Sequence, residues 1–511
     1  MRRAVIIGAG PAGLTAGYFL CEAGWNVTIL EADPQYVGGI SRTVNYGGYR
    51  FDIGGHRFFS KSKEVEDFWS KILGDNLIDR PRISRIFYRG RFYSYPLKAM
   101  EALRNLGVIE SALCVLSYLK ARAFPNRNPR SFEDWVVNQF GRRLYGIFFK
   151  TYTEKVWGMD CKDISADWAA QRIKGLSLAA AVKNAILPQK SSKNGDKSGV
   201  IKSLINSFRY PRLGPGMMWE ECAARIREMG GEVLMGRSVE SCRQHIDGSW
   251  EVMAHGASGE TSVVYGDHVI STTAIRDLCR MLEPRPAEET VRAAEALRYR
   301  DFLTVALITK DRLSLPDNWI YVHDPSVKVG RIQNFKSWSP ELVPDKDLAC
   351  YGLEYFCFEG DGVWTMPDAD LVRLATTEMH KLGLLDPADV QDGCVVRQKK
   401  AYPVYDDDYK SHVAAFASEA EEKYPTLHLI GRNGMHKYNN QDHAMMTAML
   451  AAKNIIAGRR LYNIWEVNQD AEYHESGAAG QEQAASGVRL VPMPLHRPQQ
   501  EPAKARAAAA R

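Results

Sequence analysis

Val5-Ile6-Ile7-Gly8-Ala9-Gly10-Pro11-Ala12-Gly13 and, one helix later, Val27-Thr28-Ile29-Leu30-Glu31 decide the fold of this 511-residue chain. Val5 to Ile7 read as a buried strand that stops at Gly8. Gly8 permits a tight turn, Gly10 lets a phosphate approach the backbone, and Gly13 lets the following helix pack closely on the strand. That helix, predicted over Leu14 to Ala23, offers free N–H groups and the positive end of its dipole to a pyrophosphate. The second strand ends at Glu31, an acid placed to bind ribose hydroxyls and so to disfavour a 2′-phosphate. The pattern points to an α/β, Rossmann-like unit for a dinucleotide without that phosphate. The plainer alternative is a glycine-rich turn in some other α/β protein.

The next segment separates FAD from NAD. Gly38-Gly39-Ile40-Ser41-Arg42-Thr43 resembles the second FAD motif of the amine-oxidase-like flavoproteins. That resemblance implies backbone running along the cofactor at the glycines, with Arg42 meeting its diphosphate. An NAD dehydrogenase would instead continue into another βα unit. No histidine or cysteine stands in a recognisable flavin-attachment motif, so the expected cofactor is non-covalent FAD.

Composition fits an enzyme of this size. A chain of 511 residues is expected to divide into two or three substructures. Hydrophobic residues make up 45% and charged residues 25%, which is ordinary for a globular protein. A net charge of +5 and a pI near 8.6 are too mild for nucleic acid but suit an anionic substrate. No stretch approaches 18 uninterrupted apolar residues, so no membrane span is expected. The first strand begins at once, so no signal peptide is expected, and the nine scattered cysteines read as reduced thiols. A cytoplasmic protein without metal ligands follows as the expectation.

Along the chain, a cofactor domain is expected in three pieces, 1–82, 211–296 and 403–465. The piece Pro211 to Val239 reads turn, helix, strand, and Asp267 to Thr273 adds another buried strand. Leu427 to Gly434 is again strand then glycine turn, followed by a helix over about Asp442 to Ile456. An insertion over 83–210 reads as mainly helical, with a helix start at Ser131-Phe132-Glu133-Asp134. A second insertion, 297–402, alternates as in Thr304-Val305-Ala306-Leu307-Ile308 and reads as an antiparallel sheet. Pro188 to Gly199 is a candidate lid loop, and the tail 476–511 is too poor in large apolar groups to fold.

The insertions carry a more specific resemblance. Phe148-Phe149-Lys150-Thr151-Tyr152-Thr153-Glu154-Lys155-Val156-Trp157 is similar to the Tyr-Thr-x-Lys-x-Trp signature of UDP-galactopyranose mutases. Arg172 falls where eukaryotic-type mutases carry a diphosphate-binding arginine, and Gly54-Gly55-His56 resembles their histidine loop beside the flavin. Trp319-Ile320-Tyr321 and Arg331, with Phe335, Ser337 and Ser339-Pro340, repeat the spacing around a second substrate arginine. Gly431-Arg432, Tyr438 and Asn440-Gln441-Asp442-His443 resemble the family's C-terminal flavin and substrate segment, while Val239 holds the place of a valine beside the adenine. The similarity spans about residues 1–465 as scattered motifs.

The resemblance implies that Gly8, Gly10, Gly13, Glu31, Gly38, Gly39, Arg42, Val239, Gly431, Arg432, Gln441 and Asp442 bind FAD. It implies catalytic roles for His56, Arg172 and Arg331. Tyr95, Lys98, Phe148, Tyr152, Trp157, Tyr321 and Tyr438 would join the two arginines around a nucleoside-diphosphate sugar. Arginines grip a diphosphate by charge-assisted bonds worth roughly 1.5–3 kcal/mol each, and aromatic faces suit a base or sugar. Plainer readings stand beside these. Tyr152 and Trp157 suit a helix core, Arg172 and Arg331 suit surface ion pairs, His56 suits a turn cap, and Lys155 suits a solvated charge.

The chain departs from the eukaryotic-type mutases in three places. Tyr95-Pro96-Leu97-Lys98 replaces Tyr-Pro-Phe-Gln, Arg57 replaces an apolar residue, and the stretch from Tyr438 to Asn440 is shorter. Lys98 leaves the nucleotide base open. The implied activity is a pyranose/furanose mutase in which reduced flavin acts as a nucleophile with no net redox change. The alternative is an FAD oxidoreductase of the amine-oxidase, desaturase or protoporphyrinogen-oxidase type, and a weaker third reading is a non-catalytic flavin-binding protein.

Overall fold

The structure is a computed structural model that describes residues 2–95, 97–164, 166, 207–406 and 408–468. Arg172, Pro96, the candidate lid 188–199 and the tail 476–511 lie outside the described residues.

The strand Arg3–Ile7 forms the centre of a five-stranded parallel sheet. Asn26–Leu30 pairs on one side and His268–Ser271 on the other, with Glu232–Leu234 and Leu427–Leu429 at the edges. Its strands therefore come from three stretches far apart in the chain. Alternation divides its two faces. Ala4, Ile6, Val27 and Ile29 pack under the helices Pro11–Glu22, Gly216–Glu228 and Gln441–Ala457. Val5, Ile7 and Leu30 face a smaller sheet built on Ser238–Gln244, Trp250–His255 and Thr261–Gly266, through Val239, Trp250 and Val252. Both faces are covered, which is why the central strand reads as the continuous apolar run Ala4 to Ile7.

A seven-stranded sheet forms the second body. Its long central strand Tyr299–Lys310 lies between Leu348–Cys357 and Val390–Pro403, both antiparallel to it. The segment read as antiparallel sheet from its alternation is one, and residues 299–309 of this strand are all buried. The helix Asp368–Lys381 covers one side and an aromatic cluster covers the other.

One boundary differs from the sequence expectation. Ser84–Tyr88 and Arg91–Ser94, assigned to the helical insertion, extend this sheet instead, with Ser84–Tyr88 parallel to Trp319–Val322. Ile86, Phe87 and Tyr88 gain burial there, and Arg85 donates to Asp317, 232 residues away. Among the described residues the insertion proper holds the helices Ala99–Leu106, Val108–Ala123, Phe132–Tyr145 and Thr151–Trp157, with a π-helical stretch at Gly146–Lys150. Ser131 caps the third helix in a capping box with Asp134.

Among the described residues no helix is long and apolar enough to cross a membrane and no cluster could hold a metal ion. All nine cysteines are free thiols.

Candidate functional site

The dinucleotide cradle is built by close backbone approach. Gly8 adopts φ +95°, and a Cβ there would lie 2.3 Å from Thr272 Oγ1. A Cβ on Gly13 would lie 1.9 Å from the Gly8 carbonyl oxygen, so only glycine lets the helix seat on the strand. At Gly10 a Cβ would meet nothing within 4 Å, which leaves the approach to the helix N-terminus open. Gly38 N–H donates to the Ala9 carbonyl at 2.8 Å, tying the two glycine segments together.

Glu31 is held rigidly at the strand end. Its Oε2 accepts from Ala9 N–H at 2.6 Å and its Oε1 from Asp33 N–H at 2.9 Å. Burial raises its pKa, and those two backbone bonds oppose the rise. Arg42 donates to the Gly39 carbonyl at 3.0 Å and to Gln398 Oε1 at 2.7 Å, with Asp33 3.8 Å away. Ser41 Oγ and Gln441 Oε1 are buried polar atoms without a protein partner. An open glycine turn, an anchored acid and two orphaned polar groups suit a bound dinucleotide.

The other predicted cofactor residues take distinct positions. Val239 is buried against Ile7 and Leu30. Gly431, at φ +82°, passes close to Ala12 and donates to Thr447 Oγ1 at 3.0 Å. Arg432 spends its guanidinium on carbonyls of Asn439 and Ala401, 2.9 Å each, and lies over the Tyr438 ring. It therefore shapes the wall. Asp442 is half-buried at the start of the last helix, and desolvation raises its pKa.

His56 follows Gly54 and Gly55 in a loop after the strand Tyr49–Asp52. Its Nε2 hydrogen-bonds the Ile53 carbonyl at 2.9 Å, and burial lowers its pKa to about 4, so the ring is neutral at pH 7. A Cβ on Gly55 would lie 2.4 Å from the Trp319 ring, so this loop packs directly on the aromatic cluster of the second sheet.

Trp319 stacks on Tyr321 at 5.6 Å. Tyr95 meets Tyr321 at 4.7 Å, Tyr152 meets it edge-on at 5.4 Å, and Tyr152 stacks on His323 at 5.0 Å. Phe148 packs with Tyr93 and His323 at the back of the same cluster. Tyr402 and Tyr438 form a further stacked pair at 5.5 Å. Tyr95, Phe148, Tyr152, Tyr321 and Arg331 thus gather on one side of the sheet, although up to 236 residues separate them in the chain.

Trp157 packs elsewhere, in the core of the helical insertion with Phe132, Val136 and Phe140, because its helix turns it to the opposite face from Tyr152. Lys98 is exposed at the start of the helix Ala99–Leu106.

The charges carry information that the sequence hid. Arg331 is not a surface ion pair. It is buried, 2.5 Å from Glu354 and donating to Tyr402 Oη at 3.1 Å, with its guanidinium near the Trp319 and Phe356 rings. Glu354, wholly buried, also accepts from Gln333 Nε2 at 2.7 Å. Burial raises the Glu354 pKa while Arg331 lowers it. Glu354 and Tyr402 were missed in the sequence, although one acid inside the apolar run Leu348–Cys357 was a visible signal. Lys155 is no solvated charge either: its Nζ donates to the carbonyls of Val322, Asp324 and Val329 at 2.7 to 3.2 Å, pinning the Tyr152 helix to the second sheet. Arg57 lies 5.1 Å from the Trp319 ring centre and 5.9 Å from that of Phe208, with no carboxylate partner among the described residues.

Comparison with known proteins agrees with this arrangement. A solved structure described as reduced UDP-galactopyranose mutase matches with a TM-score of 0.75 over 96% of this chain and 98% of that one, at 21% identity. A putative protoporphyrinogen oxidase from Exiguobacterium sp. 255-15 matches with a TM-score of 0.66 over 90% and 99% of the two chains, at 17% identity. These establish the fold. In sequence, the dTDP-fucopyranose mutase of Escherichia coli is 27% identical over 172 residues, 32% of this chain and 44% of that protein. A probable UDP-galactopyranose mutase of Klebsiella pneumoniae is 26% identical over 174 residues, 32% and 42% of the two. A 1-hydroxycarotenoid 3,4-desaturase of Flavobacterium sp. (strain P99-3) is 44% identical over 54 residues, 11% of each chain. The matched stretches span less than half of each of these relatives. Residues 11–456, most of the sequence, match the flavin containing amine oxidoreductases as a family. With the glycine cradle, the anchored acid and this match together, the chain belongs to the flavin-containing amine oxidoreductase family.

Proposed function

We propose that this protein is an FAD-dependent nucleotide-sugar pyranose/furanose mutase, with FAD bound non-covalently by segments 1–82, 211–296 and 403–465. The observation that carries the reading is the seating of the His56 loop on Trp319, which joins the dinucleotide cradle to a cluster of aromatic rings and cations. Gly10, Glu31, Ser41, Arg42 and Gln441 would hold FAD, whose reduced form supplies a nucleophile. Tyr95, Tyr152, Tyr321 and Tyr438 offer ring faces and hydroxyls to a sugar diphosphate without adding charge. Arg57 and Arg331 bring guanidinium groups to 5.1 and 5.0 Å from the Trp319 ring centre, Arg331 already paired with Glu354, and Arg172 is proposed to add a further cation. Neutral His56 has an acceptor-capable imidazole and contributes no charge of its own. Such a cluster suits an anionic substrate better than a porphyrin or carotenoid, which would call for an apolar tunnel. Lys98, exposed beside Tyr95, is proposed to bear on the choice of base.

The test uses the FAD-loaded protein reduced with dithionite under anaerobic conditions and a panel of UDP-, GDP-, CDP- and dTDP-hexoses. Ring-size isomers formed without stoichiometric consumption of reductant support the mutase. The second reading, an FAD oxidoreductase, is favoured by the family match; oxygen-dependent turnover that yields peroxide and a dehydrogenated product would establish it.

A further inference from the structure

Arginines that border the aromatic cluster are matched by carboxylates: Arg85 by Asp317, Arg209 by Glu66, Arg212 by Glu341 and Arg331 by Glu354. Arg57 and Arg80 differ. Both are half-buried, and neither has an acidic partner among the described residues. Arg57 lies against the Trp319 and Phe208 rings, 5.1 and 5.9 Å from their centres. Arg80 stands directly across from Phe208 in the ribbon of Leu77–Pro81 and Ser207–Pro211, so the two side chains share a face. Its Nη2 donates to the Ser337 carbonyl at 3.1 Å, but its Nε is buried without an acceptor. Phe208 packs on Trp338 at 5.2 Å and Trp338 on Trp319 at 6.2 Å. The indole Nε1 of Trp319, a residue only 6% exposed, is a second buried donor without an acceptor. Buried donors are almost always satisfied, and a cation withdrawn from water without a counter-charge is costly. Two guanidinium groups and an indole N–H gathered around the same packed rings therefore call for an anion from outside the chain.

We propose that Arg80 and its neighbours receive a carboxylate carried by the sugar, which makes the substrate class a nucleoside-diphosphate hexuronic acid. The inference rests on the nucleotide-sugar reading for the rest of the ligand. Position allocates the charges. A Cβ on Gly55 would lie 2.4 Å from the Trp319 ring, and His56 follows, so Trp319 stands at the cofactor end of the aromatic cluster, where that reading puts the sugar. Arg57 and Arg331 both approach the Trp319 ring and suit the diphosphate. Arg80 is opposite Phe208 instead, and a neutral sugar would leave its charge unbalanced. A guanidinium fork matches the two oxygens of a carboxylate. Arg85, a few residues along, pairs with Asp317 in that manner through Nε and Nη2, and the vacant Nε of Arg80 belongs to the same edge of the fork.

The experiment titrates the FAD-loaded protein with UDP, UDP-galactose, UDP-galacturonate and galacturonic acid 1-phosphate, followed by flavin absorbance and fluorescence. Base and diphosphate are common to the two UDP-sugars, so their comparison reads the carboxylate alone. The parent should bind UDP-galacturonate at least about tenfold more tightly than UDP-galactose. Arg80→Gln should remove that preference with FAD content and UDP affinity unchanged, and Arg80→Lys should restore part of it. Equal affinity of the parent for the two UDP-sugars overturns the inference, as does a preference that survives in Arg80→Gln. A loss in Arg80→Gln that falls equally on UDP overturns it too, because Arg80 would then be a diphosphate ligand. Galacturonic acid 1-phosphate separates this inference from the nucleotide reading. If no UDP ligand binds, yet the parent holds the sugar phosphate at least about tenfold more tightly than Arg80→Gln does, the carboxylate site stands and the nucleotide falls. If neither class binds, both fall. Should Arg80→Gln fail to retain FAD, the parent's own ratio of affinities decides.

Discussion

Replacing Glu354 by Gln should destabilise the protein strongly, because it leaves the Arg331 guanidinium buried without its counter-charge. Glu354 is completely buried, Arg331 is 9% exposed, and the two lie 2.5 Å apart. Breaking such a pair from one side costs about 3–5 kcal/mol, whereas replacing both partners by apolar groups of similar volume is often nearly neutral. The amide of Gln keeps the shape and one acceptor, so the loss comes from charge and not from a cavity. Gln333 Nε2, which donates to Glu354 Oε1, keeps a carbonyl oxygen to donate to. Thermal unfolding of the FAD-loaded protein is the assay. Glu354→Gln should lower Tm by roughly 5 °C or more, and Arg331→Met combined with Glu354→Leu should lower it by less than half as much. A Glu354→Gln protein as stable as the parent would show that Arg331 is solvated or otherwise neutralised. A double variant at least as unstable as the single one would equally refute the charge argument.

Three further outcomes follow from the geometry. Asp52 is fully buried, accepts from Tyr210 Oη and Thr43 Oγ1, and is pushed by burial up to about 8 against an ordinary 3.8. The folded protein therefore holds a proton that the unfolded chain releases, so this contribution to stability is present below about pH 4 and is lost as pH rises to about 8; Asp52→Asn should flatten the fall in Tm between pH 5 and 8, and equal slopes in parent and variant would contradict it. Glu31→Ala removes the acceptor of two backbone N–H groups and should weaken FAD binding roughly tenfold or more, read as flavin released on dilution; unchanged flavin retention would sink the ribose assignment. Arg57→Ala should weaken UDP binding roughly tenfold while sparing FAD, measured by flavin fluorescence titration, since a charge-assisted bond to phosphate is worth roughly 1.5–3 kcal/mol; equal UDP affinity would remove Arg57 from the site.

The cofactor half of the protein was legible in the linear sequence, and the reason is range. Gly8, Gly10, Gly13 and Glu31 act within one strand–helix–strand unit, so their spacing alone encodes the turn, the close helix approach and the placed acid. The strands at Val269 and Leu427 were legible too, because each leads a short apolar stretch, Val269-Ile270 and Leu429-Ile430, straight into a turn of small polar or glycine residues. The substrate-side half was legible only as a list of residue types. Nothing near Arg331 in the chain announces that its guanidinium is tied to Glu354 and Tyr402, since sheet register across 23 and 71 residues makes those contacts. Lys155 looked like a surface charge until the turn between two strands offered it three carbonyls. Trp157 and Tyr152 share one motif but face different cores, which helix phase decides only once both neighbours are in place. Ser84–Ser94 joined the second sheet because its edge at Trp319–Val322 was there to pair with. Local spacing specifies turns and caps; long-range register and the order in which surfaces are covered specify which side chains end up facing each other.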